Sequence, residues 1–228
     1  MNAVPCRPLR RAIGAIGAVA LGLVAAAASP AAAADFRGFV SDGPAGLLVF
    51  QSCQGTSLAK QAFRLADKSP EMALTAGASA VRQVMEDRGR PLYVEFVGDA
   101  GGGAITVRRF QRAIGHIGSC AGAPKDIAAG TRLQASSIEA GWRFVATPGG
   151  ARLELTPGKP VRFPGAPFAS TQPGRTQVFD AWSAQDGGTI RVEVTEEMCL
   201  EEGTETASGA RVLLRYASTS VEGCAARF

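Results

Sequence analysis

The residues with the clearest chemistry in this sequence are its cysteines. Cys53, Cys120, Cys199 and Cys224 stand far apart, and a fifth, Cys6, lies near the start. Widely spaced thiols can close disulfides, whereas zinc wants short C-x(2–4)-C pairs. No pair here has that short spacing and the chain has one histidine, so neither zinc nor a His-based metal site is expected. Once Cys6 is set aside with the leading segment described below, two disulfides remain, with three possible connectivities. Cys53–Cys120 and Cys199–Cys224 is favoured, because each pair then lies inside one module. Loops of these lengths would stabilise by about 4 and 3.5 kcal/mol on the chain-entropy model.

The other reactive residue types carry less. His116 could act as a general base, but a triad also needs a nucleophile on a sharp turn and an orienting acid. No G-x-S-x-G is present, so a structural or surface histidine is expected. Glu196, Glu197, Glu201, Glu202 and Glu205 crowd around Cys199. Paired carboxylates can cleave glycosides, which would require two of them about 5–10 Å apart in a cleft; a solvated acidic loop is the plainer expectation, and docking of a cationic partner the alternative. Arg108, Arg109 and Arg112 follow an alternating strand and could form an anion patch, although exposed strand arginines usually only solubilise. Gly101-Gly102-Gly103 lacks the following G-K-[ST] of a phosphate loop and reads as a hairpin turn. Trp142, Trp182, Tyr93 and Tyr216 fall on expected strands, where packing is the default and a ligand groove the alternative. No catalytic residue, cofactor or metal ligand is assigned, and an enzyme is not expected.

The elements that must position these residues begin after residue 34. Arg7, Arg10 and Arg11 precede an uncharged apolar stretch from Ala12 to Ala28, then Pro30 and Ala32-Ala33-Ala34. This is the pattern of a secretory signal cleaved near Ala34/Asp35, which implies a periplasmic protein that is not membrane-embedded after cleavage. Asp35 stands where a lipoprotein would need cysteine. Residues 1–34 hold three arginines and no acid, so the 24 basic and 20 acidic residues of the whole chain leave the remainder at about +1. The sequence pI near 9.0 is therefore no sign of a nucleic-acid partner. With 46% hydrophobic and 19% charged residues, the chain can bury a core.

Glycine and proline cut the remainder into short segments. Phe36–Val40 and Gly46–Phe50 read as strands. Leu92, Val94 and Phe96 alternate with Tyr93 and Glu95, and Asp99–Gly103 turns into Ile105–Phe110. A helix is expected over 76–87, with Ala80, Val81, Val84 and Met85 at helical spacing. The order strand–strand–helix–strand–strand suits an OB-like barrel. Residues 121–132 read as a linker. Beyond it come alternating strands around Trp142–Ala146, Leu153–Leu155, Gln177–Trp182, Thr189–Thr195 and Arg211–Tyr216, with a proline-rich excursion over 157–175. The expectation is a mostly β protein: an OB-like small barrel with one helix at 35–120, followed by a second small β domain at 133–228.

Two stretches carry a family resemblance. GLLVFQSCQGTSL with RPLYVEFVGDAGGG is similar to the OB-like module of the NlpE-type bacterial copper-resistance and envelope-stress lipoproteins. IRVEVTEEMCLEEGTETASGARVLLRYASTSVEGCA resembles the C-terminus of uncharacterised exported bacterial proteins that often carry the first module too. The resemblance implies a periplasmic, mostly β, non-catalytic protein and supports the Cys199–Cys224 pairing. The chain lacks the acylated cysteine and C-x-x-C of the stress lipoproteins, so copper binding does not carry over. Ser208-Gly209-Ala210-Arg211 resembles the S-G-x-x-Y loop with which membrane-bound inhibitors of C-type lysozyme occlude their target, with Val212 or Leu213 where that loop has tyrosine. Two functions follow as expectations: a non-catalytic cell-envelope binding or stress-related module whose partner is an envelope protein or polymer, or a lysozyme inhibitor acting through Ser208, Gly209 and Arg211.

Overall fold

Five strands close on themselves around the first half of the core. They are β1 (Ala34–Asp42), β2 (Leu48–Ser52), β3 (Ala62–Asp67), β4 (Leu92–Gly101) and β5 (Ala104–Ile114), with helix α1 (Ala73–Val84) between β3 and β4. The computed structural model describes residues 33–53, 61–124, 130–165, 169–172, 176–183 and 185–228. The signal-sequence expectation therefore lies outside the described residues except at Ala33 and Ala34, as does the middle of the expected linker.

The pairing β1–β2–β3–β5–β4–β1, antiparallel except for the parallel β3–β5 pair, is the closed five-stranded order of an OB-like barrel. Its core is aromatic: Phe36, Phe50 and Phe96 meet at centroid distances of 5.1 to 6.2 Å. Strand β3 had a short sequence signal, Phe63 and Leu65 alternating with Arg64, and was not among the expected strands. The helix lies three residues earlier than the expected 76–87. It buries Leu74, Gly77, Ala78 and Val81, whereas Val84 is exposed. Its start is set by the Asp67 carboxylate, which accepts from the Thr75 backbone N–H and hydroxyl at 2.8 Å and so satisfies an end donor. Gly77 allows the helix to press on Phe110, whose ring atoms lie 2.8 Å from where a Cβ would stand.

The second half builds a nine-stranded antiparallel sheet. Its strands are β6 (Leu133–Ser137), β7 (Trp142–Thr147), β8 (Gly150–Glu154), β9 (Pro160–Pro164), β10 (Ala169–Gln172), β11 (Thr176–Trp182) and β12 (Thr189–Thr195), then β15 (Ala210–Tyr216) and β16 (Thr219–Arg227) after a hairpin of β13 (Cys199–Leu200) and β14 (Thr206–Ser208). The spatial order is β10-β11-β12-β15-β16-β6-β7-β8-β9, so β16 pairs with β6 and the sheet's two ends are β9 and β10. The sheet curls until strands far apart in that order touch. Phe163 on β9 meets Tyr216 on β15 at 5.6 Å, and Phe144 on β7 meets Phe179 on β11 at 6.0 Å. Inward residues such as Leu153, Ile190, Val192 and Leu214 share that one core.

The hairpin β13–β14 departs from the expected division. Residues 199–208, assigned by sequence to the second module, extend the first sheet: β14 pairs with β5, and β13 pairs with β14. Ala207 is buried in the barrel core, and small polar neighbours gave this strand no alternating apolar signal. Residues 31–228 form one compact unit. Both disulfides join the favoured partners. Cys53–Cys120 clips the end of β2 to the turn after β5. Cys199–Cys224, however, does not lie within one module: it ties β13 in the barrel's sheet to β16 in the second. Among the described residues no helix is long and apolar enough to cross a membrane.

Candidate functional site

The inward residues of a curled sheet reach its open end as a ring of strand termini, and here that end is basic. Arg227 is the register partner of Leu133, so it shares the inward face with Leu133 and Ala225. Leu133, Ala146 and Val194 make an apolar floor, and Gln177, opposite Val194 on β11, adds an amide. Arg132 stands just before β6, fixed by its N–H to the Ala146 carbonyl and by its own carbonyl, which accepts from Phe228 N. The barrel supplies the third guanidinium, from Arg109 on β5. Together they surround a cleft of about 470 Å³, within the usual range for small-molecule sites, which favour the mouths of β-barrels.

Arg109 reaches this mouth because β5 is irregular. The β4–β5 register shifts between Glu95/Phe96 and between Val97/Gly98, leaving Gln111 and Arg108 as extra residues on β5. Such bulges re-aim the side chains that follow. The three arginines that could have formed one anion patch accordingly part company. Arg108 pairs with Asp99 at 2.6 Å, Arg112 turns into a buried network, and Arg109 goes to the mouth.

The mouth is electrostatically unbalanced. Burial, with the like charge of Arg109 adding to it, lowers the affinity of Arg227 for its proton, while Glu196 opposes the shift. Arg227 keeps an ion pair with Glu196. Arg109 and Arg132 have no ion-pair partner among the described residues, and the Arg109 Nε is buried without a hydrogen-bond acceptor. An unpaired buried donor of a charged group is costly, but this shielded Nε is out of a ligand's reach; what the cleft offers an anion is the unneutralised charge of Arg109 and Arg132.

Beneath the mouth wall lies a second charged cluster. Arg37, Glu95 and Arg112 occupy facing positions on β1, β4 and β5. Glu95 is 0% exposed. It accepts from Arg112 Nε at 2.7 Å and Nη2 at 3.2 Å, and from the Tyr93 hydroxyl at 2.7 Å. Burial first, then the Glu95 carboxylate, raises the Tyr93 pKa well above the ordinary tyrosine value, so the phenol remains a donor. The Arg112 guanidinium stacks over Phe228 at 5.4 Å, so this cluster supports one wall of the mouth.

The residues singled out by sequence go elsewhere. Ser208 is 7% exposed and pairs with Arg112 of β5. Gly209 donates to the Gln111 carbonyl, and a Cβ on it would stand 2.0 Å from the Phe110 oxygen. Arg211 is on β15, paired with Glu197 at 3.0 Å. These three residues therefore do not form a protruding loop, because β14 is docked on the barrel. His116 is exposed between β5 and Cys120. The acidic run is dispersed: Glu196 pairs with Arg227, Glu197 with Arg211, Glu205 with Arg90, and Glu201 accepts from Ile138 N. Burial raises the Glu201 pKa, opposed by that hydrogen bond. Trp142, Tyr93 and Tyr216 are core residues, and Trp182 is exposed. Among the described residues no group of three or more His, Cys, Asp or Glu could hold a metal ion. Arg132 and Arg227 were not singled out, since residues so far apart in sequence make no motif until the sheet closes. No family model, no curated protein and no solved structure matches the chain.

Proposed function

We propose that this chain is an exported cell-envelope protein that works by binding, and that it takes a small anionic ligand in the arginine-rimmed mouth of its second sheet. The observation that carries the reading is the convergence of Arg109, Arg132 and Arg227 on one cleft, with Arg109 and Arg132 lacking ion-pair partners among the described residues. Guanidiniums stay charged at neutral pH, so these groups suit holding an anion and do not serve as general acids or bases. Two disulfides fit an oxidising compartment, which supports the export expected from residues 1–34.

The test is a thermal-melt panel on the exported protein with small carboxylates, phosphates and sulfates, beside Arg132→Ala. Arg132 is exposed, so its removal spares the core. At least one class of anion is expected to raise the melting temperature of the parent protein and to lose most of that effect in Arg132→Ala. No stabilisation by any anion would refute the reading.

A further inference from the structure

The second sheet is open at its mouth but not hollow. Ala146 and Gln177 line the cleft, and two residues further in along the same strands stand Phe144 and Phe179. Both are essentially fully buried, and their rings meet with centroids 6.0 Å apart at an interplanar angle of 62°. They close the interior directly beneath the floor. Among the described residues the cleft is a dish, with these two rings standing where a long acyl chain would have to enter.

The rim specifies charge and shape. Arg227 is offset by Glu196, while Arg109 and Arg132 bring two positive charges with no ion-pair partner among the described residues. Each guanidinium presents a planar fork that matches carboxylate or phosphate oxygens. A carboxylate offers two oxygens but a single negative charge, against the two unpaired guanidiniums of Arg109 and Arg132. A terminal phosphate offers three and carries up to two charges. Resting on the reading of the mouth as the binding site, we infer that the group recognised there is the dianionic phosphate of a phosphomonoester, whether a free small molecule or a phosphorylated headgroup. The organic part stays outside, against the half-buried Phe228 and the exposed Pro148 at the edge.

The experiment is calorimetric titration of the exported protein at pH 8 with methyl phosphate, dimethyl phosphate, acetate, decanoate and dihexanoyl phosphatidate. Dimethyl phosphate keeps the tetrahedral centre but bears a single charge. Methyl phosphate is expected to bind at least tenfold tighter than dimethyl phosphate, acetate or decanoate. Arg132→Ala and Arg109→Ala should each weaken it at least tenfold, while Arg143→Ala, on the outer face of β7, should leave it unchanged. Tighter binding of either methyl phosphate or the phosphatidate supports the class and assigns its source. Equal affinity for mono- and dimethyl phosphate, or tighter binding of decanoate, overturns the phosphate assignment and leaves the mouth as a site. Binding of no anion at all overturns both.

Discussion

Removing the Glu95 carboxylate should be among the most damaging single changes in the barrel. Glu95 is wholly buried, and the Arg112 side chain that faces it is only 10% exposed. In Glu95→Ala the guanidinium stays inside without its counter-ion, and breaking a buried pair in this way costs about 3–5 kcal/mol. The Tyr93 hydroxyl also loses its acceptor, worth about 1–3 kcal/mol alone, but the two losses share one carboxylate and do not add. Arg37, 3.9 Å away with its side chain 33% exposed, can turn to water and contributes little. The net loss should be about 4 kcal/mol. With a urea m-value of about 2 kcal/mol/M, the unfolding midpoint falls by about 2 M. Glu95→Leu combined with Arg112→Met removes both charges and should recover most of the loss, because apolar replacement of a buried pair is about neutral. A midpoint shift under about 0.5 M for Glu95→Ala, or a double variant no better than the single, would refute the reasoning.

Other consequences follow from single contacts. The Tyr216 hydroxyl donates to Asp186, and burial first, then that carboxylate, pushes the Tyr216 pKa up to about 12. Stability from this raised pKa is present below pH 10 and lost as pH climbs from there towards 12. Asp186 is held below its ordinary carboxylate value by the Tyr216 hydroxyl and then by Gly188 N–H, so its contribution is present above about pH 4 and lost as pH falls below that. Tyr216→Phe should flatten both limbs of a melting-temperature profile against pH; an unchanged profile contradicts the contact. Replacing Cys199 and Cys224 by serine opens a link spanning 25 residues and should cost about 3.5 kcal/mol. Because that link ties β13 to β16, hydrogen exchange should accelerate first in residues 199–208, whereas uniform acceleration would contradict a tie between sheets. Gly209→Ala sets a methyl against the Phe110 carbonyl, a backbone atom that cannot yield cheaply, and should cost at least about 3 kcal/mol by urea unfolding; a neutral outcome would mean that β14 is not docked as described.

What the sequence disclosed was local. Alternation marked Ile190–Val194 and Arg211–Tyr216 because each strand keeps one face in a core; Leu92–Phe96 alternates too, but its second face, Tyr93 and Glu95, is also buried. The cysteine spacing led to the observed disulfides, although the reason offered for Cys199–Cys224, confinement to one module, was not the structural one. The helix was displaced because its start depends on Asp67 and on the left-handed turn at Glu71 and Met72, with φ of 55° and 52°, which apolar periodicity does not encode. Strand β14 was missed because its pairing with β5 is long-range and its one core residue is an alanine. The mouth was illegible for the same kind of reason. Arg109 was visible only as one of three neighbouring arginines, and two bulges on β5 decide that it, and not Arg108 or Arg112, meets Arg132 and Arg227.

The Arg109 side chain tests the account most directly, because its guanidinium lines the mouth with no ion-pair partner among the described residues, and its Nε–Hε resonance reports a negative charge brought beside it. The side-chain Nε–Hε resonances of the arginines can be followed by ¹⁵N–¹H NMR while the protein is titrated with methyl phosphate. The Arg109 proton is expected to move downfield and saturate, while that of Arg191, already paired with Asp180 and Glu193, stays in place. An Arg109 resonance that does not move at saturating methyl phosphate would contradict the central claim.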